Sequence, residues 1–165
     1  MTTIVNASGA LDAEYVIVGE APGATEIITG KPFSGAAGNL LDRLLESAGI
    51  SRSSCYVTNV VKEQPPTVGG KNNCIDGFLN LKKKPIFESV AYKQYVELLR
   101  EELSKTSANI IIALGNVPLY TLVGHQNILK RRGSLYESTL LPGRKVMGTI
   151  HPSACLHGNP EYQYF

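Results

Sequence analysis

The stretch from Glu14 to Gly49 constrains the fold more than any other part of this chain. It opens with EYVIVG (Glu14–Gly19), a short apolar run rich in β-branched residues that ends at a glycine and is typical of a buried strand. A glycine-rich loop follows as far as Gly38. Next comes NLLDRLLESAG, whose apolar spacing predicts a helix that ends at Gly49. The predicted helical stripe comprises Leu40, Leu41, Leu44, Leu45 and Ala48.

The same strand, loop and helix pattern recurs along the chain. Further strands are predicted at Cys55–Val60, Ile110–Leu114 and Arg144–Ile150, and helices between Ala91 and Leu103 and from Asn116 to Val123. The run IIIAL is as continuously apolar as a central parallel strand should be. These units predict an α/β fold with a mostly parallel sheet. With 165 residues, 43% of them apolar, we expect one domain spanning residues 1–165.

Composition limits the classes of function without choosing one. Lys and Arg total 16 against 14 Asp and Glu, a net charge of +2, which neither requires nor excludes nucleic-acid binding because a local basic face is sufficient. No apolar run approaches the roughly 20 residues of a membrane span. The first residues, MTTIVNASGALDAEY, lack the pattern of a signal peptide. We therefore expect an intracellular, soluble protein with no membrane partner.

Functional groups of such a fold lie on the loops that follow the strands. The loops in question follow Gly19, Val60, Leu114 and Ile150. The glycine-rich loop lacks both GK[ST] and GxGxxG, which leaves mononucleotide binding as a weak alternative. Turns of purely structural purpose are a second alternative, although the loop is long and carries two glutamates. Residues 63–85 also predict a long loop, either functional or mobile.

Several segments together resemble one known family. GEAPGATEIITGKPFSGAAGNLLDRLL is similar to the first motif of the uracil-DNA glycosylase superfamily, closest to its family 4. The likeness continues in the family's order through YVTNVVK, IIIALGNVP, Arg132-Gly133 and GRKVMGTIHPSACL. It implies a single-domain, three-layer α/β/α fold. It also implies an enzyme that flips uracil out of DNA and hydrolyses its N-glycosidic bond, leaving an abasic site for base excision repair.

The resemblance implies which residues bind the base. Phe33 matches the aromatic residue that stacks on uracil, and a phenylalanine inside a loop is poorly placed for the core. Asn59 matches the asparagine that reads the base edge, accepting from N3–H and donating to O4, a pattern that cytosine reverses. His151 matches the histidine that donates a hydrogen bond near O2. Ala21, where the best-known branch has an aspartate, is expected to line the base site.

The same resemblance suggests the group that handles water. Glu26 matches the acidic residue of family 4 and is our first choice to orient or activate water, with Glu20 as the alternative. Either carboxylate could instead act mainly through its charge.

Further residues are implied as DNA contacts. Leu156 is the candidate wedge that fills the gap left by the flipped nucleotide. Ser153 is expected to touch phosphate, and the other phosphate candidates are basic side chains. These are Lys82–Lys84, Lys130, Arg131 and Arg132.

Family 4 members hold an iron–sulfur cluster through four cysteines, and this chain departs from that pattern. No CxxC pair precedes the first strand, and the third and fourth ligand positions align with Glu63 and Tyr95. The three cysteines present are Cys55, Cys74 and Cys155, an odd number without CxxC spacing, which also argues against a disulfide framework. We therefore expect no metal and no cofactor.

Two other readings stay open. The chain could be a catalytically silent DNA-binding module of the same fold, for example a polymerase accessory, or a glycosylase for hypoxanthine or a 5-substituted uracil. We expect a monomer that works on single- or double-stranded DNA wherever the genome lies, with a replication or repair protein as a candidate partner.

Overall fold

The computed structural model describes residues 3–65, 67–68, 71–72 and 90–156. Within them, a five-stranded sheet forms the centre of the molecule. Its strands are β1 (Tyr15–Gly19), β2 (Cys55–Asn59), β5 (Ile110–Leu114), β6 (Leu135–Glu137) and β7 (Lys145–Thr149). They lie in the order β2-β1-β5-β7-β6, and every neighbouring pair is parallel except the antiparallel pair of β6 and β7. The predicted α/β fold with a mostly parallel sheet is confirmed.

Helices cover both faces of this sheet. They are α1 (Ala24–Thr29), α2 (Ala36–Ser47), α3 (Val90–Ser104), α4 (Asn116–Val123), α5 (Ile128–Arg131) and α6 (Pro152–Leu156). A 3₁₀ turn spans Arg52–Ser54, and a small antiparallel hairpin pairs β3 (Thr67–Val68) with β4 (Lys71–Asn72). In the described parts of the chain, none of the helices has the length and apolar composition that crossing a bilayer requires.

Two apolar clusters show the three layers. Strand side chains alternate between the faces, so Ile17 packs with Leu41 and Leu45 of α2 on one side of the sheet. Val16 and Val18 point to the other side, where they join α3 and α4. The helical residues of that second cluster include Leu99, Leu103, Leu119 and Leu122.

Short elements account for the differences from the sequence prediction. The glycine-rich loop contains α1, and β6, α5 and α6 were not predicted. Each has three to six residues, too few for a hydrophobic period to appear. Ala48 is exposed instead of lying on the buried stripe, because α2 ends at Ser47 and Ala48 is its C-cap. Cys74, Lys82–Lys84 and most of the predicted loop 63–85 lie outside the described residues.

The sheet register brings the functional loops to one edge. Gly19 is paired with Asn59, and Leu114 with Thr149, so four parallel strands end at nearly the same level. The loops that leave these strands therefore meet above the carboxyl edge of the sheet, as the sequence predicts.

Candidate active site

A pocket of about 380 Å³ opens at the carboxyl edge of the sheet, within the usual size range of small-molecule sites. Loops after β1, β2 and β7 build its wall. The lining residues are Glu20, Ala21, Pro22, Gly23, Glu26, Phe33, Ala37, Asn59, Pro65, His151 and Ser153. The loop after Leu114 stands behind them, since a Cβ on Gly115 would lie 3.4 Å from His151 Cβ. All six of the base-binding and catalytic residues expected from the sequence therefore line one pocket.

Gly19 ends β1 beneath this pocket and leaves the space that two lining residues occupy. A Cβ at this position would lie 2.3 Å from Asn59 Oδ1 and 2.5 Å from Phe33 Cζ. Contacts this short are not tolerated, so the ring and the carboxamide can approach each other only across a glycine. Sequence reasoning used Gly19 merely as the end of a strand and missed this role.

Phe33 has a strained backbone and a ring shared between core and pocket. Its φ of +53° lies in the left-handed region that non-glycine residues rarely adopt. The expectation that this residue is poorly placed for the core is wrong. Its side chain is buried against the α2 cluster and still lines the pocket, with its ring centroid 5.6 Å from that of His151. Backbone strain at a pocket residue is typical of functional sites.

Asn59 lines the pocket and carries a buried, unsatisfied polar atom. The residue is only 3% exposed, and among the described residues its Oδ1 finds no hydrogen-bond donor. Leaving such an atom buried and unpaired costs about 1–3 kcal/mol. A group of this kind in a pocket is typical of a site whose ligand supplies the missing donor.

The tautomer of His151 follows from its contacts with Ser153. The Ser153 backbone N–H lies 3.2 Å from Nδ1, and the Ser153 hydroxyl lies 2.7 Å from the same atom. A backbone N–H can only donate, so Nδ1 accepts and the neutral ring carries its proton on Nε2. Burial lowers the pKa of His151 to about 4, with the Glu26 charge acting in the opposite direction. At neutral pH the ring is therefore an uncharged Nε2–H donor.

Glu26 is buried, and its carboxylate ties the glycine-rich loop together. Oε2 accepts the N–H of Gly23 at 3.1 Å, while Oε1 accepts those of Ser34 and Gly35 at 3.0 and 2.9 Å. These bonds join the start of α1 to the start of α2 and enclose Phe33 between them. A carboxylate has about four acceptor sites, so one remains for a further donor such as water.

Of the candidate DNA contacts, Ser153 is the one that lines the pocket in the described structure. It is also bonded to His151, while Leu156 ends α6 with 45% of its surface exposed. Lys130, Arg131 and Arg132 lie beside the carboxyl end of β7, where Gly133 N–H bonds Gly148 O at 3.0 Å. Arg131 also donates to Gln126 O and lies over the Tyr136 ring. Their contacts with DNA stay predictions.

The fold and the lining of the pocket together indicate one class of protein. An aromatic ring, a neutral histidine and a buried carboxamide line one pocket at the carboxyl edge of an α/β sheet, and these groups are suited to a planar ring with hydrogen-bonding edges. The family model of the "Uracil DNA glycosylase superfamily" matches residues 7–164. The chain belongs to this superfamily.

The chain is similar in sequence to several proteins that are named type-4 uracil-DNA glycosylases. The chain is 38% identical over 157 residues to a type-4 uracil-DNA glycosylase of Thermotoga maritima, covering 94% of this chain and 72% of that protein. It is 34% identical over 162 residues to a type-4 uracil-DNA glycosylase of Archaeoglobus fulgidus, covering 94% and 73%. A third, from Saccharolobus solfataricus, is 35% identical over 164 residues, covering 94% and 68%.

The residues at the expected cluster positions do not fit an iron–sulfur cluster. Tyr95 Oη donates a hydrogen bond to Glu63 Oε1, so a phenol and a carboxylate meet where two thiolates would be needed. Cys55 is buried at the start of β2, and Cys155 lies on α6. Across the residues that the structure describes, no group of three His, Cys, Asp or Glu side chains could hold a metal ion.

We expect the purified protein to be colourless, because thiolate ligands are absent at Glu63 and Tyr95. Absorption spectroscopy together with iron analysis checks this. A visible band accompanied by stoichiometric iron would contradict it.

Proposed function

We propose that this protein removes uracil from DNA, the step that begins base excision repair, and that it acts where the genome lies. DNA containing uracil is its substrate, and an abasic site is its product. The observation that carries the proposal is the buried Asn59, which lines one pocket with Phe33 and a neutral His151 and whose Oδ1 has no hydrogen-bond partner among the described residues. Action as a monomer and contact with a replication or repair protein stay predictions.

The pocket residues suit a flipped uracil. Phe33 would stack on the ring, Asn59 Oδ1 would accept from N3–H, and the Asn59 amide would donate to O4. When the bond between C1′ and N1 breaks, its electron pair moves into the base and negative charge develops at O2. The His151 Nε2–H would donate to that oxygen without first having to lose or gain a proton.

Water must then add to C1′ and lose a proton. Glu26 supports this role because its buried carboxylate lines the pocket and keeps one acceptor site beyond its three backbone bonds. Glu20 lines the same pocket and remains the alternative. The carboxylates would also stabilise the positive charge that develops on the sugar.

Replacing Glu26 with alanine is expected to lower single-turnover cleavage by about a hundredfold or more. Glu26→Gln keeps one acceptor oxygen for the loop N–H groups and cannot take a proton from water. Its NH2 group, however, would face a backbone N–H in place of the other oxygen, so thermal unfolding of both variants is measured beside cleavage. If Glu26 handles the water, Gln and Ala are similarly impaired while binding to uracil DNA changes little. Much greater damage from Glu20→Ala would reverse the assignment of the two glutamates.

DNA contacts would extend outward from the pocket mouth. Leu156 would enter the base stack, and Ser153 would approach a phosphate next to the flipped nucleotide. Lys130, Arg131 and Arg132 would contact phosphates further along the strand.

The direct test is cleavage of labelled oligonucleotides that carry uracil, thymine, hypoxanthine or 5-hydroxymethyluracil, followed by alkali. Cleavage at uracil is expected in both single- and double-stranded DNA. Cleavage only at another base would change the substrate. No cleavage on any of them, with DNA binding retained, would favour a silent binding module.

A further inference from the structure

A buried ammonium group is bonded to the backbone of a pocket residue, and the proposed reaction does not use it. Lys62 is only 7% exposed. Its Nζ donates to Thr58 Oγ1 at 2.5 Å and to the backbone oxygen of Asn59 at 2.9 Å, and it forms an ion pair of 2.7 Å with Glu102 Oε2 on α3. The Lys62 ammonium therefore bonds both the side chain of Thr58, which precedes Asn59, and the backbone oxygen of Asn59 itself.

The position of Asn59 explains why such a support matters. It is the last residue of β2, an edge strand of the sheet. The N-terminal segment pairs with the outer edge of β2 through two backbone hydrogen bonds between Ser8 and Val57. The same segment also donates from Val5 N–H to Lys62 O, beyond the end of β2. Between these two attachments, the Asn59 carbonyl accepts the Lys62 ammonium instead of a strand N–H.

Stability alone accounts poorly for this ion pair. Burial lowers the pKa of Lys62, and Glu102 Oε1 is buried with no hydrogen-bond partner in the described part of the chain. Pairs that are buried and incompletely satisfied often gain nothing over apolar residues of similar volume. What the pair does provide is a fixed direction for the strand end that carries Asn59.

We infer that Lys62 and Glu102 are positioning residues that hold the Asn59 carboxamide in the orientation needed to read the base. The inference rests on the proposed function of Asn59. Lys62 acts on the backbone of Asn59 and Glu102 acts through Lys62, so neither would touch the substrate.

A second link from the same helix supports this reading. Tyr95 of α3 bonds Glu63, the residue after Lys62. Tyr95 and Glu102 are seven positions apart, about two helical turns, so they lie on one face of α3. The segment held in this way runs from Asn59 to Pro65, and both of these residues line the pocket.

The test is a double-mutant cycle between this pair and Asn59. Lys62→Met alone would leave the half-buried Glu102 carboxylate without its cation, so the variant of choice is Lys62→Met with Glu102→Leu, which removes both charges and keeps apolar volume. In the wild-type background we expect uracil excision in single turnover to fall on the order of tenfold to a hundredfold, the range for a misplaced reacting group. In an Asn59→Ala background the same change should cost less than about twofold.

Two controls separate positioning from loss of fold. Thermal unfolding of each variant reports stability, and Glu97→Gln with Arg100→Met removes an exposed ion pair on the same helix without any expected effect on excision. An equal loss in both backgrounds would overturn the inference, as would full activity of the variant that lacks the buried pair.

A measurement that does not need catalysis tests the inference even if the proposed function is wrong. The side-chain amide signals of Asn59 in ¹⁵N-correlated NMR spectra, assigned by their loss in Asn59→Ala, should shift and broaden when the buried pair is removed. If the wild type lacks activity on uracil DNA, the proposed function fails while this measurement still tests the positioning. Unchanged Asn59 signals would refute the inference itself.

Discussion

Replacing His151 with alanine is expected to lower the single-turnover rate of uracil release by about a hundredfold to a thousandfold, the usual cost of losing one donor to a developing anion. Binding to uracil DNA should change much less, because the charge at O2 appears only as the bond breaks. His125→Ala provides the matched control, since His125 is an exposed histidine that does not line the pocket. Equal losses in the two variants would remove His151 from the chemistry.

The pH dependence of the same step tests the protonation state of His151. Its folded pKa, about 4, is below the ordinary value of 6.5, so the ring stays neutral as the pH falls through 6.5 and gains a proton only near 4. That proton would enter at Nδ1, where the Ser153 N–H already donates. Titration of His151 should therefore leave the single-turnover rate of uracil release unchanged from pH 8 to about pH 5 and lower that rate at more acidic pH. A change in this rate centred near pH 6.5 that disappears in His151→Ala would contradict this expectation.

Much of the sheet could be predicted because its strands are continuous apolar runs. Tyr15–Gly19 and Ile110–Leu114 are buried over most of their length, and their composition alone distinguishes them from loops. The short elements depend on contacts from distant parts of the chain. The helix α5 is an example, since its first N–H, that of Ile128, is bonded by the side chain of Asn116. No local pattern records a contact of that kind.

The candidate site also has a part that the sequence predicts and a part that only the structure shows. The family resemblance predicts that Glu26, Asn59 and His151 belong to one site, and the structure brings all three to one pocket, while their roles stay predictions. Their surroundings could not be predicted, because these depend on three-dimensional approach. The space left by Gly19 becomes visible only when neighbouring strand ends are placed side by side, and the ion pair of Lys62 only when α3 brings its partner carboxylate to it.

The role proposed for Glu26 in the chemistry adds to a role that this residue has in the fold. Its three backbone bonds fix the two ends of the loop that carries Phe33, whose left-handed backbone needs such support. The same bonds hold the carboxylate at the pocket wall. Activity lost on mutation of Glu26 therefore combines misplacement of Phe33 with loss of the carboxylate, and binding of uracil DNA by each variant separates the two, because a misplaced Phe33 would weaken binding.

Asn59→Asp is expected to exchange one base preference for another. Uracil offers a donor at N3 and an acceptor at O4, and cytosine offers the reverse at the corresponding atoms. The Asn59 carboxamide satisfies the uracil pattern, whereas an aspartate loses the donor to O4 and provides acceptors for the cytosine amino group. Each unpaired buried group costs about 1–3 kcal/mol, so two mismatches give a large discrimination.

We therefore expect the Asn59→Asp variant to lose uracil excision and to gain weak, measurable release of cytosine from single-stranded or mispaired DNA. Asn59 is only 3% exposed and its Oδ1 has no partner in the described part of the chain, so little room is left for water to mask the exchange. Labelled oligonucleotides with a single uracil or cytosine measure both activities, and Asn59→Ala serves as the control because it removes the reading group without offering the new pattern. Undiminished uracil excision by a folded Asn59→Asp protein would show that another residue reads the base, since a carboxylate at this position cannot donate to O4.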